Sequence, residues 1–368
     1  MPRPATSSAY RGLAVAVLAV TFSAPTLRNL GGGWGVGAVI VTCLVATLVV
    51  AIGMRPQLRW SRTPHSLLAF LALSALALLW LPHSATSAIG VVTQLATAFA
   101  GGALAIALSA REVITALGRS LRIVVGTQAA LLASGSLQGI AGHQDALGFF
   151  AVLALVIVAL ERVSGTLGRR WSMLWIVLCA ALALRPSDSG TVVLCLVTVT
   201  VTAAFALWIR ILRDDARGPT YLIVAALVIT LTTRVISSGA DGSWRSALSL
   251  GRGWSDEGIA GRSPVLAEDA WFPLAVVGVL LLAAVAVSTL WRSWFRAIDR
   301  PRVHPRITLP YSAASLMPLL VVVTLLTRSL AEGRIPTTGE GILLVIVAVH
   351  IKQPRTDVAD EPSAERDC

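Results

Sequence analysis

The stretch GRSPVLAEDAWFPLAVVGVLLLAAVAVSTLW, Gly261–Trp291, sets about twenty apolar residues directly behind two acids, Glu268 and Asp269. A helix needs roughly 20 such residues to cross a bilayer. Comparable runs recur along the whole chain, which has 368 residues, is 55% hydrophobic and 13% charged, and has a mean hydropathy of +0.77. Soluble chains are about 25% charged. The sequence therefore predicts an all-α, polytopic transmembrane helix bundle and excludes a large soluble domain. The acids before Trp271 pose the functional question, because a membrane span needs neither of them: they are a solvated collar or part of a site.

Working outward from that stretch, apolar runs fall near 11–27, 33–53, 65–82, 88–109, 121–137, 146–161, 171–185, 190–209, 219–236, 271–291, 309–327 and 338–351. That predicts about twelve spans, within a range of ten to twelve, because the runs near 146, 171 and 338 are short of the usual 17 to 25 residues. Residues 1–351 read as one transmembrane domain and 352–368 as a short, disordered cytoplasmic tail. The first run has basic residues before it, Arg3 and Arg11, but no small-residue cleavage site, and reads as a retained span.

The basic residues orient the map. With both termini in the cytoplasm, 22 of the 30 Lys and Arg residues fall in inner segments. Such an excess of inner cations is what membrane insertion favours. It also accounts for the net charge of +11 without nucleic acid. The expected location is the cytoplasmic (plasma) membrane. Trp34, Trp80 and Trp271 fall at outer ends, and Trp171, Trp208, Trp291 and Trp294 at inner ends, as an aromatic belt requires.

The eight outer basics are Arg28, Arg185, Arg234, Arg245, Arg252, Arg262, Arg328 and Arg334. Four of them, Arg234, Arg245, Arg252 and Arg262, lie in or beside the longest external loop, Ser237–Ala270, which also holds Glu268 and Asp269. Mixed charge in a long loop points to function; a solvated cap with local ion pairs is the plain alternative. Arg185 crowds a tight turn with Asp188, Ser187 and Ser189. There it serves either a local pair or an anionic ligand, since the planar guanidinium donates two parallel hydrogen bonds to phosphate. His143, Gln144 and Asp145 mark another outer edge, as a helix cap or a site contribution. The last outer turn carries Arg328, Glu332, Arg334 and Glu340, and Glu340 lies almost inside the final apolar run. An acid there is costly unless paired or wet, and so is a functional candidate.

Signatures of a P-loop, a zincin or a nucleophile elbow are absent, and no CxxC occurs among the four cysteines. No metal or cofactor is expected. Outer arginines and carboxylates over an apolar bundle suit a lipid-linked diphosphate, with a carboxylate or histidine taking a proton from the acceptor hydroxyl.

Three stretches resemble the O-antigen ligase and polymerase superfamily of bacterial membrane glycosyltransferases. "DGSW…GRGW…AEDAWFPLAVVGVLLLAAVAVSTLWRSWF" is similar to that family's external loop and following helix, "RSLAEGRIPTTGEGILLVIVAVHIK" to its last turn and helix, and "RPSDSGTVVLCL" to the segment opening a middle span. The resemblance covers about residues 120–355. It implies a metal-independent transfer of glycan from a polyprenyl-diphosphate carrier to a glycan or lipid acceptor, on the outer membrane face. Arg185, Arg234, Arg245, Arg252, Arg262, Arg328 and Glu332 would bind substrate. Where the family pattern has His-Asn, this chain has Glu268-Asp269, so Glu268 would be the base, with Asp269 beside it. A glutamate is a weak base at neutral pH unless burial raises its pKa. The alternatives are a non-catalytic relative in a surface-glycan complex and a lipid or solute transporter. Most charges lie at span ends on this map, and no internal repeat is evident, which argues against the transporter.

Overall fold

The computed structural model describes residues 4–54, 63–80, 85–133, 144–184, 190–211, 268–298, 302–304, 307–308, 313–332 and 338–352. The described helices are α1 (Pro4–Phe22), α2 (Ala24–Gly31), α3 (Gly33–Gly53), α4 (His65–Trp80), α5 (Ala85–Ala107), α6 (Ala110–Ala133), α7 (Gln144–Val163), α8 (Arg169–Ala183), α9 (Gly190–Ile211), α10 (Glu268–Ile298), α11 (Met317–Glu332) and α12 (Thr338–Lys352). Two short antiparallel strands, β1 (Arg302–His304) and β2 (Ile307–Thr308), and a 3-10 turn at Ala313–Leu316 lead from α10 into α11. The protein is an all-α, multi-pass membrane-helix bundle. Among the described residues, Gly33–Gly53, Ile89–Ala107, Gly190–Ile211 and Ala314–Ala331 are long and apolar enough to cross a membrane.

The helices sort into a perimeter and a centre. On α3, Val41, Leu44, Val45, Leu48, Val49 and Ile52 are all exposed along one stripe, while Val39, Cys43, Ala46 and Val50 are buried. An exposed apolar stripe of that length belongs in lipid. The hydroxyls of Thr198, Thr200 and Thr202 on α9 each donate 2.7 Å bonds to carbonyls four residues back, so this lipid-facing helix carries them satisfied. In the centre, α12 packs along α5, and α7 lies between α6 and α8. Ala151, Val152, Leu153, Ile157 and Val158 of α7, and Ile342, Leu343, Ile346 and Val349 of α12, are at most 2% exposed. Helices shielded by protein need not match the bilayer thickness. That is why α12 stands with only 15 residues, and why α7 carries Glu161.

Several boundaries differ from the sequence reading, each for a local reason. The first apolar run is not one span: α1 ends at Phe22, and Pro25 opens the separate short α2. Gly32, at φ +53°, then turns the chain into α3. The span placed at 121–137 begins eleven residues earlier, because Ser109 and Glu112 form a reciprocal cap. Ser109 N donates to Glu112 Oε2 at 3.0 Å, and Glu112 N to Ser109 Oγ at 3.4 Å. The first half of α6 buries Val113, Ile114, Leu117 and Leu121 and exposes Arg111 and Arg119. The loop read as 237–270 gives its last three residues to α10, which begins at Glu268. The span read at 219–236 and the rest of that loop lie outside the described residues, as does the tail from 353.

At one end of the bundle, basic side chains close the carbonyl ends of neighbouring helices. Arg210 of α9 donates from Nε to the Ala297 carbonyl of α10 at 2.8 Å and from Nη2 to Ser315 Oγ at 2.8 Å. Lys352 donates at 3.0 Å to the Thr63 carbonyl, in the segment before α4 and not at a helix end. Arg296 of α10 donates to the His350 carbonyl in the last turn of α12 at 2.9 Å. The last carbonyls of a helix have no partner within it and carry partial negative charge, so a cation satisfies both needs. Phe205, Trp208 and Trp294 pack at the same level, with Phe205 stacked on Trp294 at 5.9 Å.

Close helix approach rests on glycine at α6. A Cβ on Gly118 would lie 2.6 Å from Oε1 of Glu161 on α7, whereas one on Gly37 of α3 would meet nothing within 4 Å. Gly118→Ala should destabilise the purified protein by about 1–3 kcal/mol in a detergent unfolding titration. Gly37→Ala should leave stability unchanged or raise it by up to about 1 kcal/mol.

Candidate functional site

The candidate site is a buried ion pair between the last two helices. α11 carries Arg328 in its last turns, and α12 carries Glu340 in its first. Residues 333–337 between the two helices lie outside the described residues. Arg328 Nη1 lies 2.6 Å from Glu340 Oε1, with side-chain exposures of 4% and 8%. The guanidinium carbon stands 4.1 Å from the centroid of the Phe149 ring on α7, itself 1% exposed. Phe149 packs edge-on against Phe150 at 5.6 Å, and Phe150 meets Phe22 of α1 at 5.4 Å. Gly339 lets α12 start hard against α1, since a Cβ there would come 2.7 Å from the Phe22 ring.

Each partner is placed by local sequence logic. Glu340 sits in the first turn of its helix, where the peptide dipoles favour an acid. Arg328 gains a full countercharge and an aromatic face, both stronger in an apolar setting than in water. The pair is neutral, so an anionic ligand reaches Arg328 only by displacing Glu340.

Arg328, placed at or near the outer surface by the sequence, lies within α11 and is 3% exposed. Glu340, flagged as an acid needing a partner, has one in Arg328. Glu332 is the last residue of α11, and Glu268 and Asp269 are the first two of α10. Acids at a helix start have a structural use of their own, through the same dipole preference. Arg185, Arg234, Arg245, Arg252 and Arg262 lie outside the described residues. Of the nine sequence-chosen site residues, the structure thus gives side-chain surroundings for Arg328.

A second pair escaped the sequence reading. Arg122 of α6 and Glu161 of α7 form an ion pair in which Nη2 lies 3.3 Å from Oε1, with side-chain exposures of 15% and 2%. Arg122 is twelve residues into α6, deeper than the inner segment in which the arginine count had placed it. The available signal was the 3.6-residue periodicity of AREVITALGRSLR, which averaged hydropathy conceals. Cys43, Cys179 and Cys195 are buried thiols outside any disulfide, and the described residues contain no group of three His, Cys, Asp or Glu that could hold a metal ion.

No family model, no curated protein and no solved structure matches this chain.

Removing one member of a buried pair leaves an uncompensated charge, which costs about 3–5 kcal/mol. Glu340→Gln and Arg328→Gln should each lower stability by that order in a detergent unfolding titration. The double variant Arg328→Met/Glu340→Leu, which removes both charges, should recover most of the loss.

Proposed function

We propose that this chain is a membrane glycosyltransferase of the O-antigen ligase kind, with about twelve spans (ten to twelve) and both termini in the cytoplasm. It transfers or polymerises glycan from a polyprenyl-diphosphate carrier at the outer face during cell-surface polysaccharide assembly. The observation that supports this reading best is Arg328, an arginine at one end of an apolar bundle whose countercharge, Glu340, a diphosphate would displace. Such a bundle suits a polyprenyl tail, and an arginine at its end suits a diphosphate. The resemblance assigns Arg245, Arg252 and Arg262 to the same task, and Glu268 to accepting the proton of the attacking hydroxyl. The sugar then passes from the carrier phosphate to that hydroxyl oxygen, and the carrier diphosphate leaves.

The engagement of Arg328 by Glu340 favours a second reading, a non-catalytic relative that keeps the fold and scaffolds a surface-glycan complex. One experiment separates the two. Cells lacking the gene should accumulate carrier-linked glycan, and wild-type protein should clear it. Glu268→Gln and Arg245→Ala should clear it at least tenfold more slowly, on the scale of losing a general base. Full clearance by both variants would replace the transferase with the scaffold, and no accumulation at all would direct the search to transport.

A further inference from the structure

At the end of the bundle away from Arg328, four arginines surround one turn. Residues 164–168 join α7 to α8. Arg111 reaches this turn from α6, its Nη2 3.4 Å from the Ser164 carbonyl. Arg162 leaves the last turn of α7, and its Nη1 lies 3.0 Å from Met173 Sδ on α8. Arg169 and Arg170 open α8, and both are exposed. The turn itself, Ser164-Gly165-Thr166-Leu167-Gly168, holds no acid. The nearby carboxylate of Glu161 is buried and already held by Arg122. Among the described residues, no ion pair holds Arg162, Arg169 or Arg170. Clustered cations repel one another, and an anion brought among them relieves that repulsion.

What lies beside them identifies the anion. α8 turns Met173, Leu174 and Val177 outward at 45–66% exposure, directly beyond the arginines, with Trp171 at 64% between. An outward apolar face in a membrane bundle is covered by acyl chains, and a tryptophan at its edge sits at headgroup level. α8 has only 15 residues. At 1.5 Å per residue it is about 22 Å long, against a hydrocarbon core of about 30 Å. Lipids beside so short a helix must thin, which carries their headgroups toward the helix ends. A phosphate drawn in this way meets the arginine cluster.

We propose that Arg111, Arg162, Arg169 and Arg170 form a binding site for the phosphodiester headgroup of an anionic phospholipid, with its acyl chains lying along α8. Guanidinium suits this role because its donors match phosphate oxygens in pairs. A membrane lipid is favoured over free phosphate because the apolar face begins where the arginines end. The site is independent of the glycan-transfer reading.

The test uses the purified full-length chain in detergent micelles, titrated with phosphatidylglycerol or phosphatidylcholine, with bound lipid read by native mass spectrometry. The wild type should retain phosphatidylglycerol over phosphatidylcholine. R162Q/R169Q/R170Q should bind it about a hundredfold more weakly, at about one kilocalorie-scale contact per arginine. R292Q, an exposed arginine on α10, should bind as wild type. Inorganic phosphate at matching concentration should not displace the lipid. Equal retention by the folded triple variant, equal binding of phosphatidylcholine, or displacement by inorganic phosphate would each overturn the proposal. If the triple variant fails to fold, the exposed single changes R169Q and R170Q carry the test. Each should weaken binding about fivefold, and unchanged binding in both would overturn the site.

Discussion

The carboxylate of Glu161 lies between the guanidinium of Arg122 and the bare backbone of Gly118, on a helix buried at the centre of the bundle. α7 is charged at a buried position, so its neighbours must supply the countercharge. Arg122 does so from α6, and the missing Cβ at Gly118 makes room for both. Some twelve residues away, Phe149 of the same helix supports the guanidinium of Arg328, which Glu340 neutralises from α12. One buried helix is thus tied at both levels to α6, α11 and α12 by contacts that work only in a narrow geometry. In an apolar bundle where sliding costs little, such directional contacts set the register of one helix against the next.

The remaining cations follow a related rule. Arg210, Arg296 and Lys352 hold carbonyls of α10, of α12 and of the segment before α4, linking those elements in sequence through one end of the bundle. Arginines that insertion leaves on one membrane side are used there to finish helices. Arg169 and Arg170 at the α7–α8 turn differ, exposed beside a helix short for the membrane. That contrast favours the lipid as their partner.

Hydropathy alone made the membrane class legible, and it placed α3, α9 and α12 almost to the residue, because each has an unbroken apolar middle with any charge confined to its end turns. It misplaced α6, whose first half is amphipathic: Arg111, Glu112, Arg119 and Arg122 lower the average while Val113, Ile114, Leu117 and Leu121 build core. It ended the eleventh span at 327 because Arg328 reads as a loop residue, although a partner twelve positions on allows the helix to continue. The same long-range pairing explains the site. Sequence can flag Glu340 as an acid in need of a partner, but the partner depends on how α11 and α12 turn against each other. Glu161 carried a weaker flag still, because an acid near the end of an apolar run resembles an ordinary interfacial residue. The acids before Trp271 belong to the start of α10, where a helix dipole alone gives them a use.

Hydrogen exchange of the protein in lipid nanodiscs, read by mass spectrometry, tests most directly whether α7 is the fixed centre. Amides of residues 147–160 should be the slowest in the protein, clearly slower than those of the lipid-facing α8, and Glu161→Gln should speed exchange along α7 before it does so in α3 or α9. If α7 exchanged as fast as α8 in the unaltered protein, the ion pairs would not hold the bundle, and this account of its architecture would be wrong.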